Sequence, residues 1–252
     1  MDIVCAPLLL RSNYSLLTGT ASVERIVRRA KELGLPWLAL TDRNNLYGAI
    51  LFYKLAREAG VKPVIGAEVT WNAGRAVLLA RNRVGYSNLC RILTRRNLED
   101  TFSFVNCLPD FQEGLHILTE DPELARRLAP RMDRRFLWLL LAHPGRGRER
   151  WRRICRQADE LDLDVAATPD VYFLDRNEYA IHRALAAIRE NTLLSRLKHG
   201  QTAHPDSYFP GAEVVAHAFQ GFEGSLGNSQ RILEDCNLEL DLGEPIFPNY
   251  SL

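Results

Sequence analysis

Short apolar runs alternate with helically spaced segments through the first 190 residues, and this alternation limits the possible folds more than any other feature. Runs at residues 3–10, 37–40, 63–69, 76–80, 115–119, 136–141 and 165–168 have the length of buried strands. Val23, Ile26, Val27, Ala30 and Leu33 recur at helical spacing behind Ser22 as N-cap, and Gly34 and Pro36 stop that helix. Leu51, Phe52, Leu55, Ala56 and Ala59 mark a second helix, ended by Gly60, with further helices expected at 86–95, 122–128, 148–161 and 176–189. Repeated βα units of this kind predict a mostly parallel sheet, and this many favour closure into a barrel. A doubly wound open sheet competes, but no Gly-x-Gly-x-x-Gly follows the first strand and there is no P-loop. Beyond residue 190 the pattern weakens. Residues 191–210 are mostly polar, a last helix is expected at 226–236, and the tail from Leu238 reads as a surface-wrapping segment. The chain thus divides into a (β/α) barrel core at 1–190 and a C-terminal helical and extended segment at 191–252.

Several function classes are disfavoured by bulk properties. The formal net charge of the 252 residues is +1, so no overall field draws in nucleic acid or an anionic membrane, and direct DNA binding is not evident. Lysine occurs only at Lys31, Lys54, Lys62 and Lys198, a bias that reads as base composition of the genome. Cys5, Cys90, Cys107, Cys155 and Cys236 are unpatterned, which fits reduced thiols better than a disulfide frame. No apolar run is long enough to span a membrane and no signal peptide is recognisable, so a cytoplasmic protein is expected.

The segment Thr41, Asp42, Arg43, Asn44, Asn45, Leu46, Tyr47, Gly48 follows the second apolar run, at the strand edge where α/β folds build ligand sites. It resembles the second-strand motif of the PHP family, in the form found in bacterial DNA polymerase III α subunits. The resemblance extends to residues 14–22, to Pro63, Val64, Ile65, Gly66, Ala67, Glu68 and Val69, and to residues 82–89, 167–173 and 234–240. The last of these is similar to the lead-in to a polymerase palm. The resemblance implies a distorted seven-stranded (β/α) barrel with a metal cluster at the carboxyl ends of its strands.

Against that family pattern, this chain substitutes most of the implied imidazole ligands. The His-x-His of the first strand reads Leu9 and Arg11, the histidine after the strand-two aspartate reads Arg43, and the final Asp-x-His reads Asp170 and Tyr172. Asp42, Glu68, His143 and Asp170 remain at matching positions. Leucine offers no lone pair, and arginine stays protonated and repels cations. We therefore expect a vestigial site in which Arg11 and Arg43 pair with Asp42, Glu68 or Asp170, and no bound cofactor. The alternative is a rearranged centre of Asp42, Glu68, His143 and Asp170 holding Mn, Mg or Zn.

Other candidates read as structural. His116 alternates with apolar neighbours as a hydrogen-bonded barrel histidine, and His182 lies in a helix outside the implied cluster. His199, His204 and His217 read as surface groups, and Cys155 as packing inward. Arg146, Arg148, Arg150, Arg152 and Arg153 crowd within eight residues and read as a solvated helix face, although Arg148 and Arg150 could touch a nucleic-acid backbone. Two functions remain. One is a catalytically silent PHP domain acting as a scaffold for polymerase or exonuclease subunits in DNA replication or repair. The other is an active metal-dependent phosphoesterase, a 3′–5′ exonuclease or pyrophosphatase.

Overall fold

The computed structural model describes residues 6–71, 74–144 and 147–243. Its strands are β1 (Leu9–Leu10), β2 (Trp37–Arg43), β3 (Lys62–Trp71), β4 (Gly74–Ala80), β5 (Leu115–Thr119), β6 (Leu137–His143) and β7 (Val165–Val171). The helices are α1 (Val23–Glu32), α2 (Ala49–Glu58), α3 (Arg83–Leu98), α4 (Phe104–Cys107), α5 (Pro122–Leu128), α6 (Arg148–Leu161), α7 (Tyr179–Arg189), α8 (Ala212–Ala218) and α9 (Glu223–Asp235). One seven-stranded sheet runs in the order β1-β7-β6-β5-β4-β3-β2, so the first and second strands form its two edges.

Those edges meet through a side chain. The Thr41 hydroxyl of β2 accepts the Leu10 N–H at 2.9 Å, and the Thr168 hydroxyl of β7 accepts the Leu8 N–H at 2.7 Å. The result is a nearly closed barrel with its backbone donors satisfied where no β1–β2 ladder forms among the described residues. Burial follows from this closure: both faces of the strands are covered, so β6 reads as a near-continuous apolar run, and β7 is buried from Ala166 to Val171 even at Thr168 and Asp170.

The expected elements are present, with informative departures. β4 is antiparallel to both β3 and β5, because no crossover helix separates it from β3. The expected strand at 3–10 is only two residues long in the described part, and residues 3–5 lie outside it. The expected helix at 176–189 opens as a 3-10 turn over Arg176–Glu178 before α7 begins. The short helices α4 and α8 carry no periodic pattern long enough to be read from sequence. Ser22 precedes α1 in an extended conformation without a side-chain cap bond. The far end of that helix does follow its sequence signal: Gly34 adopts φ 64°, and the Leu35 N–H reaches back to the Ala30 carbonyl at 3.0 Å.

The C-terminal segment joins the same core. Leu226, Ile232, Leu233, Cys236 and Leu238 are buried in one apolar cluster with the barrel strands. Ser229 on α9 accepts the Ala167 N–H at 2.9 Å and donates to the Ala167 carbonyl at 2.6 Å. No described helix is long and apolar enough to cross a membrane.

Candidate functional site: a guanidinium cage at the barrel mouth

Parallel pairing of β2 with β3 sets Arg43 beside Glu68, and the pairing of β1 with β7 sets Leu9 beside Asp170. The carboxyl ends of these strands therefore bring the substituted positions together. At the centre lies Glu68, fully buried. Arg11, also buried, grips it bidentately: Nε donates to Oε2 at 2.8 Å and Nη2 to Oε1 at 2.7 Å. The remaining Arg11 nitrogen, Nη1, donates to Asp170 Oδ1 at 2.6 Å. Arg43 Nε adds a third donor to Glu68, at 2.9 Å.

Arg75, at the start of β4, completes the cage. It donates to Glu68 Oε1 at 3.0 Å, to Asp170 Oδ2 at 3.0 Å and to Glu120 Oε2 at 2.9 Å. Three guanidinium groups thus face three carboxylates, and all three Arg11 nitrogens donate to them. Such charge-assisted, partly bidentate pairs are the geometry for which arginine is suited. The Tyr172 ring closes one side, with the Arg11 guanidinium carbon 4.0 Å from its centroid.

Electrostatics follow from this packing. Burial alone would raise the Glu68 carboxyl, but Arg11, Arg43 and Arg75 carry it well below the usual carboxylate range. Asp170 is likewise lowered, with burial opposed by Arg11 and Arg75. Burial also works against the Arg11 charge, and Asp170 and Glu68 more than offset it. For Tyr172, burial pushes the phenol up.

Asp42 stands apart from the cage. It does not pair with Arg11 or Arg43; its oxygens instead accept the Ser12 N–H at 2.7 Å, the Ser12 hydroxyl at 2.7 Å and the Ser15 hydroxyl at 2.6 Å. The loop after β1 folds over Asp42 and supplies neutral donors, so burial raises its carboxyl despite them. His143 also lies outside the ionic network. Its ring faces Trp151 and Phe219, with centroids 6.3 and 6.0 Å away, and burial lowers its basicity. Leu9 is a fully buried core residue.

The reading of the other histidines as structural fits their contacts. His116 accepts the Trp138 indole N–H at 3.1 Å, and its Nε2 lies 2.9 Å from Asp235. His182 is buried between the Thr18 carbonyl and the Ala203 N–H, at 2.8 and 2.9 Å. His199, His204 and His217 are exposed, and Cys155 is half-buried. Sequence reasoning missed Arg75, Glu120, Ser12 and Ser15. For Arg75 the needed signal is the antiparallel register of β3 with β4, which places it across from Thr70 and diagonal to Glu68.

Do these side chains fit a divalent metal? Both oxygens of Glu68 and both of Asp170 already accept arginine N–H groups, and the donors are permanently charged. Among the described residues no group of three or more His, Cys, Asp or Glu side chains is arranged to hold a metal ion. As arranged, the mouth does not fit the metal cluster that the family pattern implies.

Fold and site define an α/β barrel whose polar centre lies at the carboxyl ends of its strands. Residues 8–136, about half of the chain, match the PHP domain, and the chain belongs to that family. It is 25% identical over 274 residues to the DNA polymerase III subunit alpha of Pseudomonas fluorescens, covering 96% of this chain and 23% of the relative. The subunit of the same name from Xylella fastidiosa is 30% identical, with 92% and 22% covered. The chain therefore spans less than a quarter of the length of these relatives. A solved two-domain protein of Bacteroides vulgatus containing a predicted PHP-like metal-dependent phosphoesterase matches with a TM-score of 0.49 at 12% identity, covering 72% of this chain and 55% of that one.

Proposed function

We propose that this chain is a non-hydrolysing PHP domain of the DNA polymerase III α type, a cytoplasmic scaffold for polymerase or exonuclease subunits in DNA replication or repair. Family membership and the polymerase relatives support the context. The observation that carries the loss of hydrolysis is the bidentate Arg11–Glu68 pair, buried on both sides. A hydrolytic PHP centre uses metal ions to lower the pKa of water and to neutralise phosphate charge. Here the same carboxylates spend their lone pairs on fixed cations that carry no exchangeable water.

The cage gives the scaffold its physical meaning. Arg11 follows β1 and ties it to β3 and β7; Arg43 ties β2 to β3; Arg75 ties β4 to β3, β7 and the residue after β5. Guanidinium groups thus cross-link the strand ends in the positions where metal ions would do so in the family pattern.

Metal analysis of the purified chain by mass spectrometry, paired with manganese-dependent assays on p-nitrophenyl phosphate and labelled single-stranded DNA, tests this reading. Sub-stoichiometric Zn, Mn, Mg and Fe with no turnover above buffer are expected. Stoichiometric metal, or turnover abolished by Glu68→Ala, would instead establish the phosphoesterase built on Asp42, Glu68, His143 and Asp170.

A further inference from the structure

A cavity of about 740 Å³, the size of a small-molecule pocket, opens at the barrel end opposite the cage. The strap that follows α9 forms one wall; α2, the start of β3 and the first turn of α3 form the rest. Its body is apolar, made by Tyr53, Val61, Pro63, Val84 and Leu238. Arg57, Lys62 and Arg83 join them, against one carboxylate, Glu239.

The three cations are not held alike. Arg83 is answered by Asp241, which is not part of the lining, at 2.5 Å. Arg57 Nη1 donates to the Tyr53 hydroxyl at 2.9 Å. Lys62 Nζ donates to the Asn237 side-chain oxygen at 2.7 Å and to the Glu234 carbonyl at 3.2 Å. All these acceptors are neutral, and no carboxylate among the described residues pairs with Arg57 or Lys62. Neutral partners fix the two side chains without cancelling their charge, the reverse of the arrangement in the cage. The Tyr53 hydroxyl also accepts the Leu240 N–H at 3.1 Å, so the group that positions Arg57 ties the strap to α2. Walls and charges are therefore set before a ligand arrives, which lowers the ordering cost of binding.

We propose that this cavity binds a small amphipathic organic anion, with an aromatic or aliphatic body against Tyr53, Val84 and Leu238 and one acidic head met by Arg57 and Lys62. A purely apolar ligand would forgo two anchored cations, and a ligand with several charges would meet Glu239. An inorganic ion would gain nothing from the apolar walls. The site goes beyond the scaffold reading, and the cage takes no part in it.

The test is a fluorescence titration of the full chain with 1-anilinonaphthalene-8-sulfonate, compared with N-phenyl-1-naphthylamine, the same aromatic body without the acid. Saturable binding of the sulfonate is expected, about tenfold tighter than that of the neutral probe at low salt, with the difference shrinking as salt rises. Arg57→Gln and Lys62→Gln should each weaken the sulfonate by about three- to fivefold and leave the neutral probe unchanged, while Glu239→Gln should tighten the sulfonate by a similar factor. Val84→Glu, which sets a second carboxylate in the cavity, should weaken it by about tenfold. Arg28→Gln, on the exposed face of α1, should change nothing. Circular dichroism checks that each variant is folded; should Lys62→Gln fail there, the exposed positions Arg57 and Glu239 carry the comparison. No saturable binding by the wild type, equal affinity for the two probes, or sulfonate binding indifferent to both Arg57→Gln and Glu239→Gln would overturn the assignment. The metal analysis concerns the other end of the barrel, so either proposal can fail alone.

Discussion

The two ends of the barrel each hold a carboxylate with arginine, yet by different physics. At the mouth, Glu68 has no solvent contact and takes three guanidinium groups. At the opposite end, Asp235 of α9 keeps 41% of its side chain exposed and is met by Arg81 Nε at 2.5 Å and by His116. The mouth is a cage of permanent charges that acid can break only by protonating carboxylates held low by their partners. The far end contains an imidazole that burial keeps neutral, its basicity brought down to about 4. Sealing one end with fixed charge and the other with a titratable ring gives the molecule two different pH responses.

The largest effect should come from removing the hub of the cage. Arg11→Met removes the one fully buried cation of the site and leaves Glu68 and Asp170 only the partly exposed Arg43 and Arg75, and loss of one partner of a buried pair costs about 3–5 kcal/mol. Urea unfolding should register that loss, and adding Glu68→Gln should recover part of it. A cost under 1 kcal/mol would show that water or a cation compensates the carboxylates.

The far end should respond to pH. Between pH 6.5 and about 4 the unfolded chain binds a proton at His116 that the folded chain refuses, so stability falls as pH drops through that window. The full shift corresponds to about 3 kcal/mol. In unfolding curves at the two pH values, His116→Gln should be less acid-sensitive than the wild type by roughly that amount. Equal sensitivity would place the acid response in the carboxylates of the cage.

The rim of the cage should matter least. The Arg75 side chain is 26% exposed and that of Arg43 31%, so water can solvate what they leave behind. Arg75→Met, which breaks contacts to three carboxylates, is expected to cost about 1–2 kcal/mol, and Arg43→Met under about 1 kcal/mol. Thermal unfolding that ranks Arg43 above Arg75 would contradict the exposure ordering.

Local chemistry made much of this legible before any coordinates. Apolar runs and helical spacing marked the strands, and Gly34 and Gly60 marked two helix ends, because both signals act over a few residues. The substituted ligand positions Arg11, Arg43 and Tyr172 were visible because a motif is a local string. Arg75 was not, since it enters the mouth only through the antiparallel register of β4. The partners of Asp42 were hidden for a related reason: the loop after β1 delivers Ser12 and Ser15 from 30 and 27 residues away. Equally hidden was the contrast between α6, where Arg150 and Arg153 have no ion-pair partner among the described residues, and the mouth, where each guanidinium has one.

By itself, then, the sequence determined the order of the strands and of the longer helices, the family pattern, and which ligand positions had become cations. Only the tertiary structure decided which cation neutralises which anion, where the barrel edge is sealed by Thr41, and which arginines are left unmatched. Propensity and periodicity are properties of neighbours along the chain, whereas Coulomb pairing depends on distance in space, and that distance is fixed only when the sheet register closes.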